Sequence, residues 1–182
     1  MRSAARAIGG ALSGLVAASL LVCSAFGQTT AATSPAQQLV IHAALSSRAA
    51  IGLATLAQRR SQHADVRDFA NALARTEREA LQALEALSRT KGWTVPDRPP
   101  ATYAAEEQRL GRLADGRFDR PFLQQLVKWD GTLLRVFDDG LRQVRDQDLR
   151  AWTTTQLTTL RGRRERAQAL IAELPGPDDP GR

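Results

Sequence analysis

Apolar residues recur every three to four positions from Leu39 to Leu174, the period of an amphipathic helix, and strand-like alternation between hairpin signals is missing. The pattern predicts an all-α chain. A first helix is expected over about Pro35 to Arg60, with Leu39, Ala43, Ala50, Leu53 and Ala57 on one stripe. The polar Ser61-Gln62-His63 leads to a second helix over about Asp65 to Thr90. Its stripe is Val66, Phe69, Ala70, Leu73, Ala80, Leu81, Leu84 and Leu87, and Gly92 is its C-terminal signal.

Pro96, Pro99 and Pro100 cannot continue a helix and predict a stiff, extended crossing. A short third helix is expected from about Tyr103 to Leu113 and is broken by Gly116. Asp119 is placed to cap a fourth helix, with Pro121 in its first turn. The fourth helix carries Phe122, Leu126, Val127, Leu133, Leu134, Phe137, Leu141 and Val144. Beyond Asp146-Gln147-Asp148 a fifth helix carries Leu149, Trp152, Leu157, Leu160, Ala167, Leu170, Ile171 and Leu174, and Pro175-Gly176-Pro177 ends it. Two helical hairpins joined by one long connection describe a ferritin-like antiparallel four-helix bundle with a Pro-rich crossover and a short extra helix. A plain up-down bundle is the alternative.

Three charged residues interrupt the apolar stripes. Glu77 lies seven positions from both Ala70 and Leu84, and Asp130 lies four after Leu126 and three before Leu133, so both acids face inward. In the fifth helix Arg163 or Arg164 falls between Leu160 and Ala167. Asp130 and Arg163 are each about 24 Å along their helices from the turn that joins them, at 1.5 Å per residue. Glu77 and Ala50 are matched about the first turn in the same way. The expectation is a polar layer of Glu77, Asp130 and Arg163, in which the guanidinium neutralises at least one acid, because buried charges persist only when paired. The alternative is that these long side chains reach solvent at the bundle edge.

The N-terminus changes the picture of where this bundle works. Arg2 and Arg6 precede an uncharged stretch from Ile8 to Ala25, and Ala25 and Gly27 stand three and one before Gln28, the pattern of a cleaved secretory signal. The expected organisation is a signal peptide over 1–27, a linker over 28–34, the bundle over 35–174 and a disordered tail over 175–182. An uncleaved anchor is one alternative, and a lipoprotein acylated at Cys23 is another, although Val22 is a poor fit to a lipobox. Cys23 is the only cysteine. A chain starting at Gln28 would have no disulfide, thiol nucleophile or zinc thiolate. Loss of Arg2 and Arg6 would lower the net charge by two, from +6 to +4.

At the polar positions the chain resembles a family of exported bacterial proteins, domain of unknown function 4142, described as predicted outer membrane proteins with a ferritin-like bundle. The similarity is carried by Ala43-Ala44 with Ser46, Leu53 to Ala57, Val66 with Phe69-Ala70, and Gly92. Leu110, Leu113, Gly116, Phe118-Asp119 with Phe122 and Val127, and Leu157 with Leu160 extend it. The resemblance implies an acid where this chain has Ala50, and histidines where it has Glu77, Asp130 and Arg163. If those family positions form a metal-capable cluster, every histidine of it and the first-helix acid are lost here.

Among function classes, a di-metal oxidase needs Glu-x-x-His motifs, and none is present: the residues three before His42 and His63 are Leu39 and Arg60. No metal, no cofactor and no catalytic residue are expected. Aromatic residues at 5% are too few to favour a sugar-stacking cleft. Arg161, Arg164 and Arg166 offer contact to an anionic lipid or an envelope polymer, or simply form a solvated face. Nucleic acid is not expected as a partner of an exported protein. The reading is a periplasmic or envelope protein of binding or structural role, with a metal-binding or degenerate metal-site homologue as the alternative.

Overall fold

The computed structural model describes residues 33–175, and the leader, Cys23, most of the linker and the tail beyond Pro175 lie outside the described residues. Five α-helices follow in order: α1 (Pro35–Arg60), α2 (Ala64–Lys91), α3 (Ala101–Gly111), α4 (Asp119–Gln143) and α5 (Gln147–Glu173), with a 3-10 turn at Asp115–Arg117 before α4. No strand occurs among the described residues. Helix α1 starts where Ser34 accepts a hydrogen bond from the Gln37 N–H at 3.1 Å, with Pro35 in the first turn. Helix α2 ends at Gly92, whose φ of 70° is the left-handed conformation that halts a helix at little cost to glycine.

Contacts at the two ends fix the helix directions. At one end the Gln37 amide exchanges hydrogen bonds with the backbone of Thr94, Lys91 pairs with Asp146 and Asp148, and Leu39 packs on Gly140. At the other, the His63 N–H donates to Asp119 at 3.4 Å, and Arg120 donates to the carbonyls of Leu174 and Pro175. Thus α1 and α5 run one way and α2 and α4 the other. The segment from Gly92 to Phe118 carries the chain along the bundle between two parallel helices, with α3 packed against α1.

Arginines fasten the connections. Arg48 donates to the Pro96 carbonyl at 2.9 Å and to Glu85, holding the proline segment on α1 and α2. Arg60 donates to the Gly111 carbonyl at 2.7 Å and also to that of Leu113, Arg67 to that of Ser61, and Arg150 to those of Leu141 and Val144. Carbonyls at helix ends lack intrahelical partners, and a charged donor satisfies them well.

The core divides in two. One apolar cluster gathers Leu53, Ala57, Val66, Leu73, Leu110, Phe118, Phe122, Leu126 and Leu170; the other gathers Val40, Ala44, Leu84, Phe137, Leu149, Leu157 and Leu160. Helix α1 is long and apolar enough to cross a membrane by composition, with a mean hydropathy of 1.5. Its apolar face, including Leu39, Val40, Ala43, Leu53 and Ala54, is buried in the bundle.

Two local expectations are corrected. The short helix is Ala101–Gly111 rather than about Tyr103 to Leu113, because Pro100 is tolerated just before its first turn. Asp119 is the first residue of α4 and not its cap; its buried carboxylate instead meets the α1–α2 turn at His63.

Candidate functional site

Between the two apolar clusters lies the polar layer. Asp130 on α4 is 1% exposed and Glu77 on α2 is 6% exposed, each standing where the helical stripe would otherwise carry an aliphatic side chain. From α5, Arg163 extends its guanidinium between them, with its side chain 8% exposed. Its Nε donates to Asp130 Oδ2 at 2.8 Å, one terminal nitrogen donates to Asp130 Oδ1, and the other donates to Glu77 Oε1. The Asp130 bond is a two-pronged fork, the geometry guanidinium and carboxylate share best.

Two forces oppose each other at Asp130. Burial pushes its carboxyl above the ordinary aspartate range, helped by the negative Glu77, while Arg163 and, less strongly, Arg164 pull it back. Burial by itself would lower the Arg163 pKa, but its two carboxylate partners outweigh that and raise it. The guanidinium is therefore charged under all ordinary conditions. As a group, the layer holds two acids against one directly bonded cation.

A cavity of about 100 Å³ opens beside the layer, among α1, α3, α4 and α5. Asp130 and Arg163 form one wall, the small side chains of Ser46 and Ala50 another, and Tyr103 and Trp129 a third. The two rings meet edge to face with centroids 4.7 Å apart. Gln125 braces this wall, its amide donating to Glu106 of α3 at 2.7 Å and accepting from the Trp129 indole at 2.6 Å. On the other side of Arg163, between α2 and α5, lies an open apolar groove lined by Phe69, Leu73, Thr76 and Thr159. The arginine thus separates two spaces.

The remaining candidates are scattered. His42 is exposed and lines the cavity, and His63 is exposed at the start of α2. Arg161 pairs with Asp138 and Arg166 with Glu173, each at 3.5 Å, while Arg164 is half-buried with its Nε lacking a hydrogen-bond partner. The basic run is thus spread around α5 and interleaved with acids. Among the described residues no three His, Cys, Asp or Glu side chains are grouped to hold a metal. Tyr103, Trp129 and Ser46 were not foreseen as site residues; a lone tyrosine on a short crossover helix gives no periodic signal of where it docks.

A helical bundle with its core interrupted by one buried arginine–carboxylate layer is the class these features define. The chain belongs to the family described as Domain of unknown function (DUF4142), whose model matches residues 22–170. Its fold is similar to that of a DUF305 fragment from Deinococcus radiodurans, seen in a crystal structure, with a TM-score of 0.70 and 20% identity over 77% of this chain and 97% of that one. That likeness speaks for the fold alone. No curated protein matches the chain.

Proposed function

We propose that this protein is an exported, periplasmic or outer-membrane-associated bundle that acts by binding or as a structural element and performs no catalysis. The observation that carries the reading is Arg163: the centre of the bundle, where a ferritin-like protein would gather metal ligands, holds a guanidinium bonded to both available carboxylates. A built-in cation there opposes a metal ion by charge and occupies the carboxylate lone pairs a metal would need. Export rests on the N-terminal pattern of Arg2, Arg6, the uncharged run and the Ala25–Gly27 site. The ferritin-like assignment is supported by two antiparallel hairpins whose middle helices run parallel through a crossover.

A second reading is a degenerate metal-site homologue. It is favoured by the cavity beside Ala50, at the layer's height, where the family resemblance implies an acid. One experiment separates the two. Protein purified from its mature N-terminus is assayed for bound metals, and its melting is followed with added Fe(II), Mn(II) and Zn(II). Absence of stoichiometric metal and of any metal-induced stabilisation is the expected result. Stoichiometric metal that disappears in Glu77→Gln or Asp130→Asn would overturn the non-metal reading.

A further inference from the structure

The cavity beside the polar layer has a chemistry of its own. Its one buried anionic group is Asp130, whose oxygens face the Arg163 fork on one side and belong to the cavity wall. Each carboxylate oxygen can accept a further hydrogen bond beyond the one the arginine gives it. The Ser46 hydroxyl adds an acceptor, and Tyr103 and Trp129 add two π systems, which attract cations through their negative faces. Charge points the same way, since Glu77 and Asp130 outnumber the guanidinium they share. Arg164 offsets part of that excess from farther along α5, and His42 is the remaining titratable group lining the space.

We propose that this cavity binds a small organic cation of the guanidinium or imidazolium class, with its N–H groups on Asp130 and its plane against Tyr103 and Trp129. Size supports the choice: a cavity of roughly 150 Å³ holds benzene, with six heavy atoms. By that measure about 100 Å³ suits a guanidinium of four heavy atoms or an imidazolium of five. A small anion would face two carboxylates, and a metal would find Arg163 in place of a third ligand. An apolar molecule would leave the hydrogen-bonding capacity of Asp130 and Ser46 unused at a cost. The inference goes beyond the binding or structural role proposed above and does not rest on where the protein resides.

The test uses methylguanidinium, its neutral isostere methylurea, and propionate, each titrated into the full mature chain by calorimetry and by indole NMR of Trp129. Trp129→Phe assigns that indole signal. Methylguanidinium is expected to saturate, to shift the Trp129 signal and to raise the melting temperature. Methylurea should bind at least about tenfold more weakly, the loss expected when a charge-assisted hydrogen bond becomes neutral, and propionate should not bind. Ala50→Leu should abolish the response by filling the space; Ser46→Val serves the same purpose if Ala50→Leu fails to melt cooperatively. Equal binding of methylurea, an unchanged response in the filled variant, or no saturable response overturns the proposal. Zn(II) competing for the site would overturn it while supporting the degenerate metal-site reading.

Discussion

Arg163 grips Asp130 with both edges of its fork, Nε to Oδ2 at 2.8 Å and a terminal nitrogen to Oδ1, from a helix 33 residues further along the chain. That pairing ties α4 to α5 at mid-height, and the bond to Glu77 extends it to α2. Removing the cation would leave two acids in a nearly dry environment. Arg163→Met is therefore expected to destabilise the fold by about 3–5 kcal/mol, the usual cost of orphaning a buried ion-pair partner. The exposed pair Arg142–Asp139 is the control, and Arg142→Ala should change stability by less than about 0.5 kcal/mol. Urea unfolding of both variants provides the comparison, and a loss in Arg163→Met no larger than the control's would sink the claim.

The layer and the helix ends should titrate in opposite directions. Asp130 is raised by burial above the ordinary 3.8, so its carboxyl carbon should titrate in NMR at a higher pH than a free aspartate. Because the folded value exceeds the unfolded one, its contribution favours the fold below 3.8 and is lost as pH rises through the native value. Asp146 is lowered by Lys91 and by the Leu149 N–H it caps. Its stabilisation is present above 3.8 and disappears as pH falls through the depressed value. A carboxyl of Asp130 titrating below that of Asp146 would refute the assignment.

Two glycines in long helices predict opposite results for the same substitution. A Cβ on Gly140 would lie 2.8 Å from both methyl carbons of Leu39, a side chain locked in the core. Overpacking there costs about 1–3 kcal/mol, more than alanine's helix preference of about 1 kcal/mol returns, so Gly140→Ala should lower stability. Gly162 has nothing within 4 Å of the same atom and is exposed on α5. Gly162→Ala should raise stability by about 0.8–1 kcal/mol. Thermal melts with changes of the same sign would contradict the packing described.

Arg60 holds the end of α3 through the Gly111 and Leu113 carbonyls. Arg60→Ala is expected to cost about 1.5–3 kcal/mol, the range for hydrogen bonds to a charged group. Amide exchange should accelerate in residues 109–117 ahead of the helix centres. Uniform acceleration throughout the bundle would instead assign Arg60 to global stability.

Periodicity carried most of the fold because each long helix has one apolar stripe with a single interruption. Glu77 and Asp130 could be assigned to the interior because seven-residue and four-plus-three steps return a helix to nearly the same face. Arg163 followed from its height, since side chains equally far from a tight turn meet across an antiparallel pair. The cavity was not legible in this way. It depends on a short helix, carried along the bundle by a proline segment, placing Tyr103 against Trp129, and on Ser46 and Ala50 leaving room, and neither is written in any repeat. Asp119 misled for a related reason: an aspartate before a helix ordinarily caps it locally, whereas here a distant turn supplies the partner.

The carbonyl clamps made by Arg48, Arg60, Arg67, Arg120 and Arg150 have a consequence for endurance. A guanidinium keeps its proton at any pH a bacterium meets, needs no oxidant to form its bonds and gives nothing for a reductant to cut. Corners joined in this way would hold alike through acid shock, alkaline shift or swings in redox state, so arginine supplies a fastening role that sulfur fills in many secreted domains.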